Sequence, residues 1–89
     1  MKILVVDDNA DNVQLLSDIV SSMNLTPLRA FDGVEALRTV YETHPDLIIL
    51  DVNMPGMSGF EVCEQLKNDA TTAHIPVLLL TALEDVEHR

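Results

Sequence analysis

Basic residues, cysteines and long apolar runs are all scarce in this sequence, and each scarcity narrows what the protein can do. Five Lys and Arg stand against fifteen Asp and Glu, a formal net charge of −10. Such a chain is repelled by nucleic-acid phosphates and anionic lipid, so direct nucleic-acid or membrane binding is not expected. Cys63 is the sole cysteine, which excludes an intramolecular disulfide and a cysteine metal cluster. Its setting in Phe60-Glu61-Val62-Cys63 puts it on an apolar helix face rather than marking a reactive thiol. No apolar stretch is long enough to span a membrane, and the run after Met1 is too short for a signal peptide. A reducing, cytoplasmic setting is therefore expected.

What is there suits a packed domain. The 89 residues leave room for one domain over 1–89, and 47% hydrophobic against 22% charged favours a globular core over a disordered tail. At this length the margin of burial is thin. Three short runs, Ile3-Leu4-Val5-Val6, Leu47-Ile48-Ile49-Leu50 and Val77-Leu78-Leu79-Leu80, do not alternate with polar residues. Each reads as a strand buried on both faces, as in a parallel sheet covered by helices. Val13, Leu16, Ile19, Val20 and Met23 recur at helical spacing after Asn9, and Val34, Leu37, Val40 and Tyr41 do so before Pro45. Ser58 with Glu61 predicts a capping box that opens a third helix. Thr26 to Ala30 is a weaker strand, and Pro27 assigns it to a sheet edge. The order is β-α-β-α-β-α-β, with a fourth helix expected from about Leu83, which is a doubly wound α/β fold with right-handed crossovers.

The polar residues at the strand ends carry the chemistry. The first strong strand runs into Asp7-Asp8, the second into Asp51 and the third into Thr81. Ligands of open parallel sheets bind beyond the carboxyl ends of the strands, where the strand order reverses. With the Pro27 strand at an edge, Asp7, Asp8 and Asp51 converge there. Two unit charges about 4 Å apart repel by about 4 kcal/mol at an effective dielectric of 20, so either a proton is retained or a cation intervenes. All candidate ligands are oxygen, which selects a hard ion such as Mg²⁺. An aspartate after a strand is also a common helix N-cap, and for Asp8 taken alone that reading stays open. After Asp51, the stretch Val52-Asn53-Met54-Pro55-Gly56 ends in a turn-forming Pro-Gly, and its backbone groups could ligate a metal or an anion. An ordinary connecting loop would look the same. His44, His74 and His88 are too scattered to form a metal or catalytic set, and Gly33 after Asp32 reads as a turn before the second helix.

Val5-Val6-Asp7-Asp8-Asn9, Leu50-Asp51-Val52-Asn53-Met54-Pro55-Gly56-Met57-Ser58-Gly59 and Leu80-Thr81-Ala82 together resemble the signature blocks of two-component response-regulator receiver domains. Asp32-Gly33-Val34-Glu35-Ala36-Leu37 extends the likeness between them. The resemblance implies a flavodoxin-like sheet of order 2-1-3-4. It implies that Asp51 accepts a phosphoryl group from a phosphohistidine on a sensor histidine kinase or phosphotransfer protein. Asp8, Asp51 and the backbone carbonyl of Asn53 would hold Mg²⁺, with Asp7 acting through water or as a secondary ligand. Thr81 would hydrogen-bond the phosphoryl group, the small Ala82 would keep the pocket open, and an output domain, fused or separate, would read the signal.

The resemblance also implies a fifth strand and fifth helix after Arg89, bearing a phosphate-contacting lysine and a switch aromatic. The chain is accordingly expected to be a receiver domain incomplete at its C-terminus, with an edge-paired or swapped dimer as one outcome. Two other functions compete. A Mg²⁺-dependent phosphatase with an aspartate nucleophile usually carries a second Asp two residues on, where this chain has Asn53. A purely structural fragment, pairing its incomplete sheet with another chain, is the third reading.

Overall fold

The pleat of a strand sends successive side chains to opposite faces, and in this protein each face of the sheet meets its own helices. The computed structural model describes residues 1–81. Its elements run β1 (Lys2–Val6), α1 (Ala10–Ser22), β2 (Thr26–Ala30), α2 (Gly33–Thr43), β3 (Leu47–Asp51), α3 (Gly59–Lys67) and β4 (Val77–Leu80). The four strands form one parallel sheet of order β2-β1-β3-β4, the doubly wound arrangement expected from the alternation of elements. β2 with its Pro27 lies at an edge, as predicted, and Pro27 stands opposite Ile3. The expected fourth helix and Ala82 lie outside the described residues.

The two faces have separate cores. Leu4, Val6, Ile48 and Leu50 point to one side and pack with Ala36 and Val40 of α2, Val62 and Leu66 of α3, and Ile75. Ile3 and Val5 point to the other, where they meet Val13 and Val20 of α1. Cys63 packs against the larger core at partial burial. Helix ends follow their capping chemistry. Asn9 accepts the N–H groups of Asp11 and Asn12, Asp32 that of Glu35, and Ser58 and Glu61 form the predicted capping box. α2 stops at His44, whose left-handed backbone (φ 47°) precedes Pro45.

Three sequence expectations are corrected. Two-sided burial holds for β1 but fails at β4, where Leu78 is 51% exposed. α1 packs over β1 and β2 rather than over the β4 side of the sheet, so among the described residues no helix covers the residue that β4 turns to that face. Ile19 and Met23 of the expected apolar face of α1 are exposed, while Ser17 is buried under a hydrogen bond from Arg29 Nε at 3.1 Å. Gly33 is the first residue of α2 rather than part of a turn. A β-carbon there would lie 2.9 Å from Met57 Cβ, so close packing explains it.

Candidate functional site

β1 and β3 are adjacent and in register, Val6 opposite Leu50, so the residues that follow them emerge side by side at the carboxyl edge of the sheet. These are Asp7 and Asp51. With Asp8 they form a cluster in which one carboxylate oxygen from each residue lies within 4.8 Å of those of the other two. Asp7 is buried, Asp51 half-buried and Asp8 exposed, so the cluster opens to solvent on one side.

Each carboxylate is placed by local backbone geometry. The Asp7 N–H donates to Ala30 O at 3.3 Å, which ties the end of β1 to the end of β2. Asp7 Oδ1 accepts the Asn9 N–H at 2.9 Å, and its Oδ2 accepts the side-chain amide of Asn12 at 3.2 Å. Asn9, not Asp8, caps α1, so the helix-cap reading of Asp8 is set aside. Asp51 Oδ1 accepts the Asn53 N–H at 3.2 Å. Beyond Asp51 the Val52 N–H donates to Leu80 O and the Gly59 N–H to Val52 O, which fixes both ends of the loop. Within it the chain bends at Pro55-Gly56, with Gly56 at φ 78°.

The electrostatics follow from this crowding. Burial pushes the Asp51 carboxyl above the usual aspartate range, and the charges of Asp7 and Asp8 push it further. The Asn53 N–H opposes them by favouring the charged form. At the largest separation, 4.8 Å, two unit charges repel by about 3.5 kcal/mol at an effective dielectric of 20. A cluster of this kind can hold a metal ion, and its all-oxygen donor set favours a hard one.

Thr81 follows Leu80, the residue paired with Asp51, so it stands at the neighbouring strand end with an exposed side chain. Asn53 is exposed in the loop two residues beyond Asp51. His44 and His74 are exposed and precede β3 and β4, by the amino ends of those strands rather than the carboxyl edge that carries the aspartates; His88 is outside the described residues. Sequence reasoning missed Asn12. The available signal was its position three residues after the cap Asn9, where a capping box would carry glutamate or glutamine. Among the described residues no helix is long and apolar enough to cross a membrane.

Comparison with known proteins gives a consistent answer. The family profile described as "Response regulator receiver domain" matches residues 3–89. Response regulator PleD of Caulobacter vibrioides is 51% identical over 83 residues, covering 93% of this chain and 18% of PleD. The polar-differentiation response regulator DivK of Brucella ovis is 40% identical over 80 residues, covering 90% of this chain and 65% of DivK. This chain thus spans less than two thirds of either relative. Among solved structures, the N-terminal domain of a response regulator receiver protein from Methanoculleus marisnigri superposes with a TM-score of 0.88 at 37% identity, covering 98% of this chain and 74% of that one. Chemotaxis response regulator CheY4 of Vibrio cholerae gives 0.87 at 34% identity, covering 99% and 73%.

Proposed function

This chain belongs to the response regulator receiver family, and from that premise we propose that it is a phospho-accepting module with Asp51 as the acceptor. Receiver domains are signalling modules, and response regulators work with kinases or phosphotransfer proteins. The observation that carries the reading is that Asp7, Asp8 and Asp51 each bring a carboxylate oxygen within 4.8 Å of the other two at the carboxyl edge of the sheet.

In the proposed reaction a carboxylate oxygen of Asp51 attacks the phosphorus of a phosphohistidine. A P–O bond forms, the P–N bond breaks, and the imidazole leaves with its electron pair. The Asn53 N–H orients the Asp51 carboxylate through Oδ1. Asp8, Asp51 and the backbone carbonyl of Asn53 are the proposed ligands of Mg²⁺, with Asp7 secondary. Bound there, Mg²⁺ would offset the charge of the transferring phosphoryl group, which supplies much of what such a loose transition state requires. Thr81, at the adjacent strand end, donates its hydroxyl to a phosphoryl oxygen after transfer and so carries the change to an output domain, fused or separate. The phosphoryl group stays on the chain until hydrolysis, without turnover of an external substrate.

Intact mass after incubation with acetyl phosphate and Mg²⁺ tests this. One phosphoryl adduct is expected, absent in Asp51→Asn and mapped to Asp51 by borohydride trapping. A label on Asp7 or Asp8 would overturn the assignment.

A further inference from the structure

Asn12 occupies the third helical position of α1, and there this helix departs from the other two. In α2 and α3 the corresponding residue is a glutamate that accepts a backbone N–H: Glu35 takes that of Phe31 at 2.8 Å and Glu61 that of Ser58 at 3.2 Å. An acidic side chain at this position ties down the entering chain and suits the positive end of the helix. In α1 an amide stands there instead, turned toward Asp7, with Nδ2 donating to Oδ2 at 3.2 Å. The Asn9 N–H that a glutamate would take is held by Asp7 Oδ1 at 2.9 Å. Asp7 closes the cap from outside the helix, and Asn12 steadies Asp7 in return.

We infer that Asn12 is a positioning residue for the acidic site, its amide holding the Asp7 carboxylate in the orientation in which Asp7, Asp8 and Asp51 take up a divalent cation. The inference rests on the reading of that cluster as a Mg²⁺ site. With Asn9 N–H on Oδ1 and Asn12 Nδ2 on Oδ2, each Asp7 oxygen has one N–H donor, which restricts rotation of the carboxylate. The choice of donor matters. A lysine or arginine would also hold Asp7, but its charge would repel the cation. A glutamate would add a fourth negative charge and compete for the Asn9 N–H. A neutral amide orients without either effect.

Asn12→Leu keeps the size of the side chain and removes its donors, and Asn12 is exposed, so folding should tolerate the exchange. Mg²⁺ affinity is measured by calorimetric or NMR titration without phosphodonor, beside the thermal midpoint in EDTA. The expected result is about 10-fold weaker Mg²⁺ binding, the low end for loss of an outer-shell partner, with the metal-free midpoint unchanged. Affinity within twofold of the parent overturns the inference. So does a loss matched by a lowered metal-free midpoint, which would make Asn12 a structural residue. If the parent itself takes up no Mg²⁺, or binds it equally well as Asp51→Asn, the site reading fails instead.

Discussion

Gly59 packs against the backbone of Asp51 so closely that a β-carbon at residue 59 would fall 2.3 Å from the Asp51 carbonyl oxygen. The same glycine opens α3 and donates its N–H to Val52 O at 3.0 Å. The loop after the proposed acceptor therefore folds back on the strand that carries it, and the first residue of the next helix sets how tightly. The neighbour is backbone rather than a flexible side chain, so it cannot step aside without moving Asp51.

Gly59→Ala should cost about 2–3 kcal/mol of stability, at the upper end for an overpacked site, and should slow labelling of Asp51 by acetyl phosphate. Gly33→Ala is the contrast, because its obstruction is the side chain of Met57. It should cost less and leave labelling unchanged. Urea melts and intact-mass time courses compare the two.

Thr72 should prove structural despite being a buried polar residue in the connection from α3 to β4. Its hydroxyl donates to Leu66 O at 2.7 Å, and Asp69 O lies 3.3 Å away. Thr72→Val keeps the shape and withdraws the donor from a buried carbonyl, which should cost about 1–2 kcal/mol. Phosphoryl labelling at saturating Mg²⁺ should remain at the parent level. A fall in labelling without a fall in the unfolding midpoint would refute a purely structural role.

The legible part of this protein was the part governed by local rules. β1, β3 and the edge position of β2 follow from short apolar runs and one proline, and α3 follows from the Ser58–Glu61 box. The grouping of Asp7, Asp8 and Asp51 follows once β1 and β3 are neighbours. What escaped depends on contacts between elements. Ser17 falls outside the apolar positions of α1, and its burial depends on the bond from Arg29 of the adjacent strand, while Ile19 reads as core until α1 is seen to sit over β1 and β2. Leu78 looks like its neighbours in β4, but among the described residues only the α2–α3 face of that strand packs against a core. Asn12 escaped because its role lies in a side-chain bond to Asp7, five residues away and off the helix.

Mg²⁺ should stabilise the protein at neutral pH in proportion to its binding. An ion that binds only the folded state adds RT ln(1 + [Mg²⁺]/Kd), about 1.4 kcal/mol at ten times Kd. Chemical denaturation with and without Mg²⁺ measures this directly. Asp8→Ala and Asp51→Asn should lose the increment, and an undiminished increment in both would place the ion elsewhere.

The acidic cluster should also make metal-free stability depend on pH in a direction opposite to that of most carboxylates. Burial, followed by the charges of Asp7 and Asp8, raises the Asp51 carboxyl above its ordinary range, despite the opposing Asn53 N–H. A folded state in which this group binds its proton more tightly than the unfolded chain gains stability from protonation. That gain is fully present below the unfolded aspartate value. It is lost as pH rises through the raised folded value, after which the carboxylate is held charged beside two others. In EDTA, the contribution of Asp51 to stability should therefore decline across the window from the ordinary aspartate range up to its raised value, and stay low at neutral pH. Asp51→Asn removes the titrating group while keeping the side chain's shape, so it should be more stable than the parent at pH 7 and should approach it at acidic pH. Added Mg²⁺ should narrow the difference at pH 7 by stabilising only the parent. Urea melts of both proteins across pH, in EDTA and in Mg²⁺, give the comparison. If Asp51→Asn is less stable than the parent at pH 7 in EDTA, the repulsion among these carboxylates is already relieved by something other than a cation.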